Sequence, residues 1–308
     1  MTRVAALDCG TNSLRLLVAD VDCASLTDVV RRMEVVRLGE GVDRTGRLAD
    51  AALARTFAVL DDYAAAITSL EVARTRMVAT SATRDAANRD VFVSGVLDRL
   101  GVEPEVISGD EEAALSFEGA TRELQGTAQL AAPYLVVDIG GGSTEFVIGD
   151  DDGLRAARSV DIGCVRLTER HLQDNPPTAS QIAAAVADIE AAVDDASTEV
   201  PVGQANTLVG LAGSVTTVVA LALGLAEYDP MRIHHARVPV EQVSVITQRL
   251  LRASHAERAA IPVMHPGRVD VIGGGALVLD TIMRRCGFES VVASEHDILD
   301  GIAFSADR

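Results

Sequence analysis

Two short loops carry the residue types that hold phosphate oxygens. The first is Asp8-Cys9-Gly10-Thr11-Asn12-Ser13, and the second is Asp138-Ile139-Gly140-Gly141-Gly142-Ser143-Thr144-Glu145. In each, a Gly two residues after an Asp permits a tight turn at the end of an apolar run. Thr11, Asn12 and Ser13 in one loop, and Ser143 and Thr144 in the other, add hydroxyl and amide donors to the backbone N–H groups. Such a nest binds an anion without any lysine. The first loop, taken alone, reads equally well as an ordinary turn with Asn and Ser in their usual places. The second resists that reading, because three consecutive glycines weaken a fold unless a ligand needs the close approach. Asp138 and Glu145 flank it and offer oxygen ligands to a hard cation such as phosphate-bound Mg2+. Asp8 heads the first loop as Asp138 heads the second and joins them as a candidate metal ligand.

Between the loops lies Ser108-Gly109-Asp110-Glu111-Glu112-Ala113-Ala114. Two accounts of its carboxylates stand side by side. Ser108 or Asp110 caps a helix whose first turn favours negative charge, which needs no chemistry. Alternatively, one Glu faces a site and activates water as a general base. Arg84 has a similar choice, between a phosphate, which its planar fork suits, and a surface pair with Asp85 or Asp90.

Apolar patterning supplies the elements that must position these groups. Val4–Leu7, Leu14–Val21, Val29–Leu38, Arg76–Ala79 and Glu105–Ile107 read as strands. Leu48–Leu70 has helical periodicity, Val91–Leu100 is a helix closed by Gly101, and Asp110–Leu124 is another. Gly126–Pro133 is a candidate linker. The pattern then restarts with strands at Tyr134–Val137, Glu145–Ile148 and Leu154–Val160, the last two joined by a hairpin turn at Gly149–Gly153. Helices follow at about 163–172, 179–196, 214–223, 240–251, 268–286 and 298–304, with strands at 208–211 and 290–292. Strand, Asp-x-Gly turn, strand, strand and helices thus occur twice, about 130 residues apart, an internal duplication. Three strands before the first helix point to a mixed sheet rather than an alternating parallel one.

Composition narrows the chemistry. The chain has 308 residues, 27 basic against 45 acidic, and a net charge of −18. Every basic residue is Arg, so a P-loop that needs Lys and a Schiff base on a protein Lys are both excluded. A field of this sign repels duplex nucleic acid, and a small polyanion binds only at a local site that overcomes it. Cys9, Cys23, Cys164 and Cys286 lack metal-binding spacing. Neither a signal peptide nor a charge-free membrane-spanning run is present, so a cytoplasmic protein with no membrane partner is expected.

Paired at this spacing, the two loops resemble those of the actin, sugar kinase and Hsp70-like fold. That resemblance implies an α/β chain of two RNase H-like domains, mixed sheets flanked by helices, with a cleft between them. The expected boundaries are 1–126 and 127–296, with a terminal helix at about 297–308 packing back on the first domain. Four motifs in order, Asp-Cys-Gly-Thr-Asn-Ser, Ala79-Thr80-Ser81-Ala82-Thr83-Arg84-Asp85-Ala86-Ala87-Asn88, Ser-Gly-Asp-Glu-Glu-Ala and Asp-Ile-Gly-Gly-Gly-Ser-Thr-Glu, look like the exopolyphosphatase and guanosine pentaphosphate phosphohydrolase (Ppx/GppA) family. The resemblance implies Glu112 as catalytic base, Asp138 and Glu145 as acidic positions that bind a divalent metal, and Arg84 and Asn88 in a phosphate-contacting motif. It also implies a homodimer acting on inorganic polyphosphate or guanosine pentaphosphate. Longer members carry a further helical region beyond the point where this chain stops, so short polyphosphate chains are the expected substrate. An ATP-dependent kinase and a nucleotide-gated sensor or filament subunit are the rival readings of the same fold.

Three features stand apart from those motifs. Leu211–Thr217 opens a helix that favours an anion, and Ile272–Ala276 opens another where nucleotide-binding relatives of the fold hold adenosine. Either reads equally as close helix packing through Gly. His234-His235 is a polar loop or a substrate-binding edge.

Overall fold

The computed structural model describes residues 1–22, 25–122 and 130–306, in two compact units, Met1–Gly119 with His296–Arg308 and Ala120–Glu295. The boundary expected at 126/127, the start of the linker at Gly126, the helix end at Leu124, and Cys23 all lie outside the described residues.

The first unit runs β1 (Thr2–Cys9), β2 (Ser13–Val21), β3 (Leu26–Val35), α1 (Val42–Thr45), α2 (Asp50–Ser69), β4 (Arg74–Ala79), α3 (Ser81–Asp85), α4 (Arg89–Leu100), β5 (Glu105–Val106) and α5 (Gly109–Thr121). Its sheet has the order β3-β2-β1-β4-β5, antiparallel across β1–β3 and parallel from β1 to β4 and β5. Gly101 ends α4 at φ 69°, a left-handed conformation that glycine adopts without a Cβ clash.

The second unit runs β6 (Tyr134–Ile139), β7 (Thr144–Asp150), β8 (Gly153–Val160), α6 (Cys164–His171), α7 (Ala179–Glu199), β9 (Thr207–Leu211), α8 (Ala212–Ala222), α9 (Pro230–Ile233), β10 (Arg237–Pro239), α10 (Val240–Arg252), α11 (His255–Ala259), α12 (Ile272–Cys286) and β11 (Ser290–Ala293). Its sheet has the order β10-β11-β9-β6-β7-β8. The helix expected from Arg268 begins at Ile272, because Pro266–Arg268 forms a separate 3-10 turn. Strands β6, β7, β8 and β9 repeat the pairing of β1, β2, β3 and β4. The duplication extends to single hydrogen bonds: Gly10 N–H donates to the Ser13 carbonyl and Gly140 N–H to the Ser143 carbonyl, each at 3.0 Å.

The chain then returns to the first unit as α13 (Ile298–Ala306). Period-two alternation along β1 explains why it docks there. Ala5, Leu7 and Cys9 pack with Leu53 and Leu60 of α2 and Phe92 of α4. Val4 and Ala6 point the other way, against Leu115 of α5 and Ile298, Leu299, Ile302 and Ala303 of α13. Asp8 shares this second phase, which brings it to the end of the sheet where α13 begins.

Candidate active site

In the first unit, loop 1 joins β1 to β2, and its backbone is held from outside. The Asn12 carbonyl accepts from Val36 and Arg37, and the Thr11 carbonyl from Gly39 at 2.8 Å. These bonds turn the carbonyls away and leave the N–H groups of Thr11 and Asn12 without a protein acceptor among the described residues. The Thr11 hydroxyl bonds that of Ser81 at 2.9 Å, tying loop 1 to the first turn of α3. The side chains of Asn12 and Ser13 have no protein partner among the described residues.

Glu111 and Glu112 separate on α5. Ser108 Oγ accepts the Glu111 N–H at 3.2 Å, so the capping role belongs to Ser108. Glu111 is exposed and accepts from Arg76 at 3.1 Å. Glu112 is buried, and its Oε2 accepts from Arg84 Nη1 at 3.1 Å. Arg84 also donates to the Ile107 carbonyl at 3.0 Å, so its guanidinium spans from α3 to the start of α5 instead of pairing with Asp85 or Asp90. Asn88, expected at phosphate, clasps the backbone of Leu48 in both directions, at 2.8 and 3.0 Å. Its amide is thereby committed to holding the 47–49 segment.

Asp8 is buried, and its Oδ2 accepts from Arg15 Nε at 2.8 Å and Nη2 at 2.6 Å. Arg15 Nη1 donates to Asp297 Oδ2, so one guanidinium is shared by two carboxylates. Burial pushes the Asp8 carboxyl up, against Arg15. Burial acts the same way on Asp297, but Arg15, the Leu299 N–H and Arg31 outweigh it and hold Asp297 below the usual carboxylate range.

In the second unit, the carbonyls of Gly140 and Gly141 accept from the first N–H groups of α6, at 2.9–3.1 Å, and Gly142 accepts from Arg166 Nε at 2.7 Å. The N–H groups of Gly141, Gly142 and Ser143 therefore have no protein acceptor among the described residues, three consecutive donors in one turn. Gly163 lies so close behind the loop that a Cβ would meet the Gly141 backbone at 2.5 Å. The Thr144 hydroxyl, expected as a phosphate donor, instead donates to the Ile162 carbonyl at 2.7 Å, which leaves Ser143 as the hydroxyl of this loop.

Asp138 and Glu145 are directly opposed across β6 and β7, and both are buried. Cross-strand partners share a face, and like charges so placed repel. Glu145 also accepts from Ser159 at 2.8 Å. Two facing carboxylates fit a hard divalent cation that completes its shell with phosphate and water. Among the described residues, no group of three or more His, Cys, Asp or Glu is arranged to hold a metal.

The helix start at Leu211–Thr217 holds a cation that pattern reading missed. Ala212 has φ 65°, a strained value for a residue with a Cβ. The Arg268 guanidinium lies 2.1 Å from where a Cβ on Gly213 would stand and donates to Thr217 Oγ1 at 3.3 Å. Arg268 is half-buried and has no carboxylate partner among the described residues. The glycines of Ile272–Ala276 pack helices together instead: a Cβ on Gly275 would strike Ser214 Oγ at 2.1 Å, and one on Gly274 Thr168 Oγ1 at 2.8 Å. His234 and His235 stack at 3.7 Å, and the His235 N–H bonds the Ala293 carbonyl at the end of β11.

The sequence model of the Ppx/GppA phosphatase family matches residues 17–306. The chain belongs to that family. Exopolyphosphatase 2 of Mycobacterium tuberculosis is 50% identical over 99% of this chain and 98% of its own length. The crystal structure of an exopolyphosphatase-like protein matches with a TM-score of 0.94 and 46% identity, covering 98% of this chain and 97% of that one. A guanosine-5'-triphosphate,3'-diphosphate pyrophosphatase of Vibrio atlanticus is 31% identical over 97% of this chain, which spans 58% of that relative. In the Ppx/GppA chain, two loops carry backbone N–H groups that have no protein acceptor among the described residues. Its Arg15–Asp297 contact was not legible, because the partners lie far apart in sequence and neither falls in a motif.

Proposed function

We propose that this Ppx/GppA phosphatase is an exopolyphosphatase, which hydrolyses the terminal phosphoanhydride bond of inorganic polyphosphate with Glu112 as general base. The observation that carries this reading is the buried Glu112 carboxylate held by Arg84, whose short helix α3 is tied through Ser81 to Thr11 of loop 1. The 50% identity, over 99% of this chain, to a relative named exopolyphosphatase 2 supports polyphosphate as substrate.

Glu112 takes the proton from water as the oxygen attacks the terminal phosphorus. Arg84 holds that carboxylate in one orientation through Nη1, and its Nε and Nη2 have three further N–H donors to offer an equatorial phosphate oxygen. Thr11, Asn12 and Ser13 in the first unit, and Gly141, Gly142 and Ser143 in the second, offer donors to phosphate oxygens and stabilise developing charge, whereas the N–H groups of Gly10 and Gly140, expected at phosphate, close the two turns instead. Arg268 adds a cation to the second set. Asp138 and Glu145 would hold Mg2+, which when bound offsets phosphate charge. Asp8 is assigned to Arg15 rather than to the metal, since the guanidinium already supplies the positive charge at its oxygen. Positioning and electrostatics suffice for phosphoryl transfer to water. A homodimer and a cytoplasmic location belong to the same proposal.

The test is phosphate release with Mg2+ from polyphosphate, guanosine pentaphosphate and ATP in parallel, for the wild type and Glu112→Gln. Release from polyphosphate is expected, with kcat lowered about 10²–10⁴-fold in the variant and binding retained. Release from the guanosine substrate alone would move the chain to that activity. A fully active Glu112→Gln would remove Glu112 from the mechanism.

A further inference from the structure

The first unit has an open-sided cavity of about 580 Å³ between α1 and the start of α2, lined in part by Arg44, Arg47, Arg55, Glu40, Asp50 and Asn88. We propose that it is a second anion subsite, which takes phosphates of the polyphosphate chain distal to the bond being cleaved. The proposal rests on the exopolyphosphatase reading and adds where the rest of the substrate lies.

Charge and hydrogen bonding carry the argument. Arg55 is spent, since its Nη2 donates to Glu40 at 2.9 Å and its Nε to the Val36 carbonyl at 2.9 Å. Arg44 and Arg47 have no carboxylate partner among the described residues. With Arg55 set against Glu40, the lining keeps Arg44 and Arg47 against Asp50, a net positive charge in a chain of net charge −18 and so a local reversal of the field. The N-terminus of α2 opens into the same cavity through Ala49, Asp50 and Ala51. Its N-cap is Ala49, which has no side chain to take the first N–H groups of a 20-residue helix. Asn88 fixes the floor by binding Leu48 through both its N–H and its carbonyl. The cavity is thus built from a hydrogen-bonded backbone beneath exposed cations.

Its walls continue the segments that carry the phosphate-binding groups of this unit. Gly39 N–H bonds the Thr11 carbonyl, and a Cβ on Gly39 would meet Thr11 Cγ2 at 2.2 Å, so the strap leading to Glu40 and Gly41 lies directly on loop 1. Asn88 follows Arg84 by one turn of chain. The lining also selects the class of anion. It contains no aromatic ring on which a nucleobase could stack, and its apolar members are Leu48, Ala49 and Ala51. These walls offer charge and hydrogen-bond donors to a linear phosphate chain and no stacking surface to a nucleobase.

The double variant Arg44→Gln/Arg47→Gln tests this, assayed on tripolyphosphate and on a long polyphosphate of defined length. The expected result is a KM for the long chain raised about tenfold, with kcat and the tripolyphosphate KM unchanged. Equal effects on both substrates, or none on either, would overturn the subsite. Arg44→Lys/Arg47→Lys keeps the charge and should restore part of the loss, which separates charge from folding damage. Long-chain polyphosphate is also titrated calorimetrically against Glu112→Gln with and without the two Gln substitutions. If the wild type releases no phosphate from either substrate, the exopolyphosphatase reading fails. The titration then still decides the subsite, since a tenfold weaker affinity sustains it and an equal affinity removes it.

Discussion

Asp8 and Asp138 occupy the same place in a repeated strand–loop–strand unit, yet they face opposite charges: Arg15 across from Asp8, and Glu145 across from Asp138. One half of the duplication sets a guanidinium opposite its Asp, and the other sets a second carboxylate there. The sequence shows both Asp residues in equivalent motifs, which is why Asp8 reads as a metal ligand there, and only pairing register reveals the difference. Arg15 then links Asp8 to Asp297, whose carboxyl is held below its ordinary value. The sign follows from that direction. Asp297 contributes stability above its unfolded pKa of about 3.9, and the contribution is lost as pH falls through the lower folded value. Asp8, pushed up by burial, works the other way, since its charged form costs stability that protonation relieves. Asp297→Asn is therefore expected to lower stability at neutral pH by about 1–3 kcal/mol, less than a fully buried pair because Arg15 keeps Asp8. The gap to wild type should narrow at acid pH, as the carboxylate is protonated through its lowered folded value. Urea denaturation at both pH values reads this, and a wild-type midpoint for the variant at neutral pH would contradict it. Glu112 was singled out from Glu111 only through the family motif, because helix physics explains either carboxylate equally well.

Helices and strands carry these residues by contacts that depend on missing side chains. A Cβ on Gly119 of α5 would lie 1.9 Å from the Asp297 carbonyl oxygen, and one on Gly301 of α13 would lie 2.1 Å from that of Leu115. Both obstacles are backbone, which cannot rotate aside. Gly119→Ala and Gly301→Ala should each cost about 1–3 kcal/mol through overpacking. Because α5 also bears Glu112, the surviving folded fraction should lose activity beyond what the shift in melting temperature predicts. Thermal melts and kcat of the two variants test this, and an Ala variant with wild-type melting and turnover would show that the helices have room to part. Most such elements are readable from sequence, since buried strands and long periodic helices leave strong patterns. The missed ones are short. α3 covers five residues, Ser81–Asp85, too few for a 3.6-residue period to show, although it carries Arg84. Arg268 was hidden for a related reason: it was absorbed into the periodic run of α12, whereas Pro266 and Gly267 set it in a separate turn facing Gly213.

At the scale of the whole chain, the repeated order of elements was legible because each half begins with the same apolar run and Asp-x-Gly turn. What periodicity could not supply was which layer each half lacks. The first unit's sheet has one face covered by α2 and α4, which directly follow or flank its strands. Its other face is completed by residues at the far end of the chain, after the whole second unit has been made. Ile298, Leu299, Ile302 and Ala303 are all buried there, against Val4, Ala6, Leu17 and Leu115. Burying the three larger side chains contributes about 5–9 kcal/mol. That is comparable to the net stability of an ordinary domain, about 5–15 kcal/mol. Truncation after Glu295 should therefore leave the second unit's core intact and unfold the first. It should also remove Asp297 from Arg15 and Asp300 from Arg31, which bonds it at 2.5 Å. Hydrogen exchange on the truncated chain should show protection lost in β1, β2 and β4 and kept in β6 and β9. Protection retained in β1 would mean that the sheet's first face alone holds the unit together, and that α13 is a late addition rather than part of its core.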